Sequence, residues 1–134
     1  MIPVQDLCIG NWVYDGDSTQ FPMFIRAIGE DYVYLDFEGN EGGPWEADQE
    51  DLEGILLKRD LLTKLGFVAD GNCRYDKYGD GWTITVHPFV PLIRIEHELS
   101  GITRAAFTSE RIKYLHELQN AFYFTTKQEL KIEL

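Results

Sequence analysis

The sequence has few of the residues that carry most protein chemistry. Of its 134 residues only two are cysteines, Cys8 and Cys73, and their spacing fits neither a metal site nor a disulfide framework. Two free thiols are typical of a reducing compartment, so we expect a cytoplasmic protein.

Long apolar runs are also missing. No stretch approaches the ~20 apolar residues that a helix needs to span a bilayer. The first residues, Met1 to Asp6, lack the basic start and the apolar core of a signal peptide. We therefore expect a soluble protein with no membrane association.

Basic residues are scarce as well. Twelve Lys and Arg stand against 23 Asp and Glu, which gives a formal net charge of −11. Such a chain repels phosphate backbones, so direct binding of nucleic acid is not expected. The charge indicates first a well-solvated surface, and as the alternative an acidic surface that imitates nucleic acid.

Motifs of catalysis and cofactor binding are absent from the sequence. It has no Gly-x-Ser-x-Gly elbow, and neither cysteine has a catalytic context. The glycine-rich stretch Gly39–Pro44 lacks the Lys-Ser/Thr ending of a phosphate loop, so we predict a flexible loop. Asp15 and Asp17 do not match calcium-loop spacing. We predict no cofactor, and a non-enzymatic role is favoured.

The apolar residues, 44% of the chain with 13% aromatics, are sufficient for one core. Tyr32–Phe37 has the alternation of a strand, with Val33, Leu35 and Phe37 predicted on one face and Tyr32, Tyr34 and Asp36 on the other. Five short strands of this kind predict a β-rich part over residues 1–57, which resembles a small SH3-like barrel. They are Leu7–Tyr14, Phe21–Ile28, Tyr32–Phe37, Trp45–Asp48 and Gly54–Leu57.

Residues 58–134 are predicted to combine helices with an antiparallel sheet. A short helix over Lys58–Leu65 should end at Gly66. Two strands, Trp82–His87 and Leu92–His97, should pair with His87 opposite Leu92, since apolar then meets apolar throughout. Further predicted strands are Arg74–Tyr78, Ile102–Phe107 and an edge strand at Leu130–Leu134.

The longest helical pattern covers Ser109–Phe124. Apolar side chains recur at steps of three and four, and Thr108 and Ser109 could cap its first turn. The stripe consists of Ile112, Leu115, Leu118 and Phe122. Because a helix cannot bury such a stripe alone, we expect it to pack on the preceding strands. The predicted fold is α+β, with residues 1–134 forming a single compact unit.

The three histidines are weak candidates for a metal site. In the predicted hairpin His87 and His97 lie at opposite ends and on opposite faces, so they cannot share an ion. His116 has no second histidine four residues away on the helix. We predict no metal site, and a small enzyme with a site around His97, Trp82 and Glu98 is kept as a remote alternative.

The aromatic residues of the N-terminal half are the candidate partner-binding site. They are Trp12, Tyr14, Tyr32, Tyr34 and Trp45. If they lie on the sheet face away from the core, they could form a peptide groove or a dimer contact. The favoured alternative is that they pack against the C-terminal half, because a part of ~57 residues buries little by itself.

Four segments occur along the chain in a familiar order: Ile9–Tyr14, Leu61–Phe67, Ile112–Asn120 and Glu129–Glu133. Together they resemble a family of small uncharacterised bacterial proteins that occur in phage-derived or mobile gene sets. The stretch from Pro88 to Thr108 is longer and richer in proline than the family pattern. The resemblance implies one shared architecture, and it brings no activity, cofactor or catalytic residue.

These observations favour a non-catalytic protein–protein interaction module of a phage or mobile element. Its partner would be another protein or a second copy of the chain. The alternative is an acidic decoy that occupies a DNA-binding protein, and the enzyme around His97 comes third.

Overall fold

The structure is a computed structural model that describes residues 2–16, 19–71, 73–89 and 92–134. Asp17 of the acidic pair and Pro91 of the predicted hairpin turn lie outside these residues. The chain divides into two compact units. The N-terminal unit comprises Met1–Ile55 with Tyr114–His116, and the C-terminal unit comprises Leu56–Lys113 with Glu117–Leu134. The predicted division at residue 57 lies close to this boundary, and the single compact unit stays a prediction.

The N-terminal unit is built on one antiparallel sheet of five strands. The strands are β1 (Trp12–Asp15), β2 (Thr19–Ile28), β3 (Tyr32–Asp36), β4 (Trp45–Asp48) and β5 (Leu52–Gly54). Their order in the sheet is β4-β3-β2-β1-β5. Short 3₁₀ helices lie at Val4–Asp6 and Gln49–Asp51. Among the described residues no pairing joins β4 to β5, so the sheet is open and a closed SH3-like barrel is not confirmed.

Alternation of apolar and polar residues explains how this sheet buries one face. Val33 and Leu35 of β3 are fully buried and Tyr32 and Tyr34 are exposed, as the sequence predicts. Phe37, predicted on the buried face, lies beyond the end of the strand and is exposed. The buried face of the sheet carries the core of this unit. Its members include Val13, Met23, Ile25, Ala47 and Leu52.

The C-terminal unit combines a second antiparallel sheet of five strands with two helices. The elements are α1 (Arg59–Lys64), β6 (Val68–Asp70), β7 (Arg74–Gly79), β8 (Trp82–His87), β9 (Leu92–Leu99), β10 (Ile102–Ser109) and α2 (Leu115–Thr126). The sheet order is β10-β9-β8-β7-β6. Strand β6 was not predicted, because its three exposed residues show no alternation and its strand form comes from pairing with β7.

The predicted β8–β9 register is confirmed in every pair, from Trp82 opposite His97 to His87 opposite Leu92. Its apolar face packs on α2 through Trp82, whose ring meets Phe122 edge to face at a centroid distance of 4.8 Å. The predicted packing of a C-terminal helix on this sheet is therefore observed.

The predicted extent of the C-terminal helix is wrong. The helix is shorter than expected and begins at Leu115, while Thr108 and Ser109 belong to β10 and cap no helix. The hydroxyl oxygen of Ser109 accepts a hydrogen bond from the Arg111 N–H, 3.0 Å away, where β10 ends. All four residues of the predicted apolar stripe are nevertheless buried.

The predicted edge strand at Leu130–Leu134 is also wrong, because this segment has no regular secondary structure. Leu130 is buried, so the segment is held by an apolar side chain and not by strand pairing. No helix among the described residues has the length and hydropathy that a membrane crossing requires.

Candidate functional site

Four of the five candidate aromatics share one face of the N-terminal sheet. Trp12 pairs with Phe24, and Phe24 pairs with Asp36. Tyr34 and Tyr32 lie two and four residues before Asp36 on the regular strand β3, and side chains two apart share a face. By the same rule Tyr14 lies on the face of Trp12. The sheet thus brings Trp12, Tyr14, Tyr32 and Tyr34 to the side opposite its core.

Trp45 is the exception. It pairs with Leu35, which points into the core, so its side chain starts on the other face. Its indole N–H donates a hydrogen bond of 2.9 Å to the buried carboxylate of Asp15 in β1. The residue is still 52% exposed. Trp45 is therefore held on the core face of the sheet by a hydrogen bond.

The four aromatic residues on the face opposite the core differ in solvent exposure. Tyr32 is 46% exposed and Tyr34 is 37% exposed, whereas Trp12 and Tyr14 are half-buried. Trp12 also makes an edge-to-face contact with Phe24, with ring centroids 5.5 Å apart. The two tyrosines of β3 are thus the accessible members of this face.

Carboxylates lie directly beside the two tyrosines. Across the β3–β4 pair Tyr32 is opposite Asp48 and Tyr34 is opposite Glu46. All four side chains are exposed, and we call them the tyrosine–carboxylate strip. A surface with aromatic rings beside negative charges can bind cationic side chains.

The turn between β2 and β3 is held next to this strip. The Gln49 side-chain amide donates hydrogen bonds to the carbonyl oxygens of Gly29 at 2.8 Å and Glu30 at 3.2 Å. Its backbone N–H donates to the Asp31 carbonyl oxygen at 3.3 Å. Exposed Glu30 and Asp31 therefore add two carboxylates near the end of the strip.

The other end of β3 is organised by Asp36. Its carboxylate accepts hydrogen bonds from the Asn40 side chain at 2.9 Å, the Phe37 N–H at 2.8 Å and Arg26 Nε at 2.7 Å. The Asn40 bond, then the Phe37 bond and then Arg26 lower the pKa of Asp36 below its ordinary value, and burial opposes them. Asn40 also bonds to Gly42 and Gly43, so it closes the glycine-rich loop.

The histidines do not converge. His97 is the cross-strand neighbour of Trp82, but Glu98 follows it on the opposite face, opposite Thr103. His87 lies at the far end of the same hairpin, and buried His116 stacks on Tyr114 in the N-terminal unit, with centroids 5.7 Å apart. In the described part of the chain no three His, Cys, Asp or Glu side chains are grouped to hold a metal ion.

Two cavities in the C-terminal unit were not predicted. One, of about 270 Å³, lies at the His87 end of the sheet and is bordered by Lys58 and Lys113. The other, of about 330 Å³, is lined by residues that include Lys64, Lys77 and Lys131. Each is assembled from segments far apart in the chain, so no local motif in the sequence signals it.

The comparisons with known proteins return no relative. No protein-family model, no curated protein and no solved structure matches this chain.

Proposed function

We propose that this protein is a non-catalytic interaction module whose N-terminal unit binds a basic segment of a partner protein. The observation that carries this proposal is the tyrosine–carboxylate strip, in which exposed Tyr32 and Tyr34 of β3 lie opposite Asp48 and Glu46 of β4. A Lys or Arg side chain over an exposed aromatic ring gains ~0.5–1 kcal/mol. The adjacent carboxylates add attraction and accelerate encounter with a basic partner.

The position of the strip supports the same function. Among the described strands, β4 is one of the two outer strands of the sheet and pairs with β3 alone. An outer strand offers backbone groups to which an extended peptide can add. A basic segment that lies along β4 would bring its alternate side chains to the tyrosines and carboxylates.

An SH3-like curvature of this sheet is part of the proposal. Strand β5 returns to pair with β1, and the Trp45 indole on β4 reaches Asp15 on β1, three places away in the sheet. A sheet that curls in this way is convex on the side of the strip, which leaves the tyrosine rings open to a partner.

The test is co-purification of tagged protein from the native host, with Tyr32→Ala/Tyr34→Ala as the variant. The matched control is Tyr123→Ala, which removes an exposed tyrosine of α2 in the other unit. We expect the wild type and the control to retain the same partner, and the double variant to lose it. Equal retention by the double variant would refute the role of the strip.

Salt dependence provides a second measurement on the same material. Because exposed charges are screened over about 8 Å at physiological ionic strength, retention should weaken as NaCl is raised to 0.5 M. Light scattering of the pure protein tests whether the partner is a second copy. A strict monomer that retains no host protein would count against both forms of the proposal.

An acidic decoy is the second candidate, since Glu30, Asp31, Glu46 and Asp48 are exposed around the same end of the sheet. In that case the retained partner would be a DNA-binding protein, and duplex DNA would displace it. Glu46→Gln/Asp48→Asn would then abolish retention while Tyr32→Ala/Tyr34→Ala preserves it. A mobile-element origin, suggested by the resemblance alone, would make the partner a host protein.

A further inference from the structure

The cavity at the His87 end of the C-terminal sheet combines an apolar lining with a basic edge. Val86, Ile93 and Ile112 are buried residues that line it, and Leu56 contributes an exposed apolar side chain. Lys58 and Lys113 line it as well, and both are exposed. The remaining lining residues are Leu57, His87 and Pro88. We call this the basic-edged cavity.

Backbone hydrogen bonds hold the walls of the basic-edged cavity together. The Leu57 N–H donates to the Lys113 carbonyl oxygen at 2.9 Å, which joins the segment before α1 to the segment before α2. The Lys58 N–H donates to the Leu56 carbonyl oxygen, also at 2.9 Å. The cavity is therefore formed by the fold itself, as ligand pockets usually are.

The charge at this edge is opposite to that of the chain as a whole. The sequence has 23 acidic and 12 basic residues, yet the lining includes two lysines and no acidic residue. Within the described ranges neither ammonium group forms an ion pair. The carboxylate of Glu117 accepts a hydrogen bond from the Lys113 backbone N–H at 3.1 Å, so it lies near this edge but pairs with neither ammonium group. Two positive charges beside apolar walls are complementary to an anion that carries an apolar group.

We propose that the basic-edged cavity binds a small amphipathic carboxylate, a carboxyl group on an apolar chain or ring. The apolar part would lie against Val86, Ile93 and Ile112, and the carboxylate would lie between Lys58 and Lys113. An inorganic anion would leave the apolar walls uncovered, and a neutral apolar molecule would leave the two ammonium groups without a counter-charge. This site is in the other unit and does not depend on the tyrosine–carboxylate strip.

The volume of the cavity and the net charge of the protein are both compatible with a small amphipathic carboxylate. A volume of about 270 Å³ lies near the lower end of the range of small-molecule pockets, which suits a ligand of the size of a short-chain carboxylate. The net charge of −11 repels an approaching anion. That repulsion is screened within about 8 Å at physiological salt, so the two nearby lysines dominate at contact.

Octanoate is the probe that tests this proposal, by calorimetric titration of the full chain below the micelle concentration. We expect saturable binding of octanoate, about tenfold weaker binding of 1-octanol, which lacks the charge, and none of acetate, which lacks the chain. The variant is Lys58→Gln/Lys113→Gln. Its matched control, Lys64→Gln/Lys131→Gln, removes the same charge from the edge of the second cavity.

The charge variant should bind octanoate about tenfold more weakly, while the control binds like the wild type. All four lysines are exposed, so both variants should fold, and thermal unfolding of each checks this. The absence of saturable octanoate binding overturns the proposal. So does equal affinity for 1-octanol, or an equal loss in the control, since either would mean that Lys58 and Lys113 do not recognise the carboxylate.

Discussion

At the scale of single residues, Asp36 connects a strand to the loop that follows it. Three hydrogen-bond donors, from Arg26, Phe37 and Asn40, converge on its buried carboxylate. These bonds favour the charged form, so the pKa of Asp36 lies below its ordinary value. The folded protein thus prefers Asp36 ionised, which links the stability of this unit to pH.

The lowered pKa of Asp36 predicts how the free energy of unfolding changes with pH. Since the folded pKa of Asp36 is lowered, its contribution is fully present above about pH 4, the ordinary aspartate value, and is lost as pH falls through the folded value. The wild type should therefore be more stable than Asp36→Asn at pH 6, and the difference should shrink towards pH 3. Urea unfolding at a series of pH values measures it.

Glu41→Gln is the matched control for this experiment, because Glu41 is an exposed acid of the same loop. It should leave the pH dependence of the wild type unchanged. Parallel pH profiles for the wild type and Asp36→Asn would show that the three hydrogen bonds do not stabilise the charged form.

A hydrogen bond distinguishes Trp45 from the other aromatic candidates. Trp45 and Tyr32 both belong to strands with exposed side chains, yet only Trp45 donates to the buried Asp15 carboxylate. Nothing local to either residue distinguishes the two, because the contact joins positions 30 residues apart. Sequence alternation identified the face of Tyr32 and Tyr34, and the partner of Trp45 required the folded sheet.

At the scale of elements, α1 ends as its sequence predicts. Gly66 follows the helix with φ of +89°, its N–H donates to the Thr63 carbonyl oxygen, and the Phe67 N–H donates to that of Leu62. These two bonds form a Schellman motif, which needs a left-handed residue at the position of Gly66. Phe67 and Leu62 stand at the two positions between which this motif usually has an apolar contact, and both are buried.

Gly66→Ala should therefore destabilise the protein by ~1 kcal/mol, since an L side chain is strained at that φ. The Cβ of an alanine at this position would also lie 3.3 Å from the Lys77 ammonium nitrogen. Thermal unfolding measures the effect. Gly43→Ala is the comparison, because a Cβ there meets nothing within 4 Å. An equal effect at both positions would mean that the motif contributes nothing.

The start of α2, unlike the end of α1, differs from the prediction. Ser109 and Thr108 have the side chains of helix caps, but they pair with Ile93 and Arg94 of β9. The pairing extends β10 through the predicted cap, and the helix begins six residues later than expected, at Leu115. Strand pairing with a distant segment thus overrode a local capping signal.

At the scale of the whole molecule, the dominant property is the excess of acidic residues. A net charge of −11 on 134 residues creates mutual repulsion in the folded state, which is weaker when the chain expands. The charges of the ion pairs, such as Arg26 with Asp36 and Arg74 with Asp76, are already counted in that sum, so pairing does not reduce the net charge.

Moderate salt should therefore stabilise the protein. Raising NaCl from 10 to 150 mM shortens the screening length from roughly 30 Å to about 8 Å, which weakens the net repulsion. We expect the melting temperature at pH 7 to rise by a few degrees, as measured by circular dichroism. A fall over the same range would indicate that local ion pairs, and not the net charge, dominate the electrostatic stability. Sucrose at equal osmolality serves as the control for effects of the solvent.

The sequence by itself determined the α+β composition, the faces of β3, the stop of α1 and the β8–β9 register. Each depends on neighbours within a few residues or across one short hairpin, where periodicity and turn chemistry are sufficient. Only the tertiary structure decided where α2 begins, which aromatics are accessible and that Lys58 and Lys113 line the same cavity. These features arise from contacts between distant segments, whose free energy no local pattern encodes.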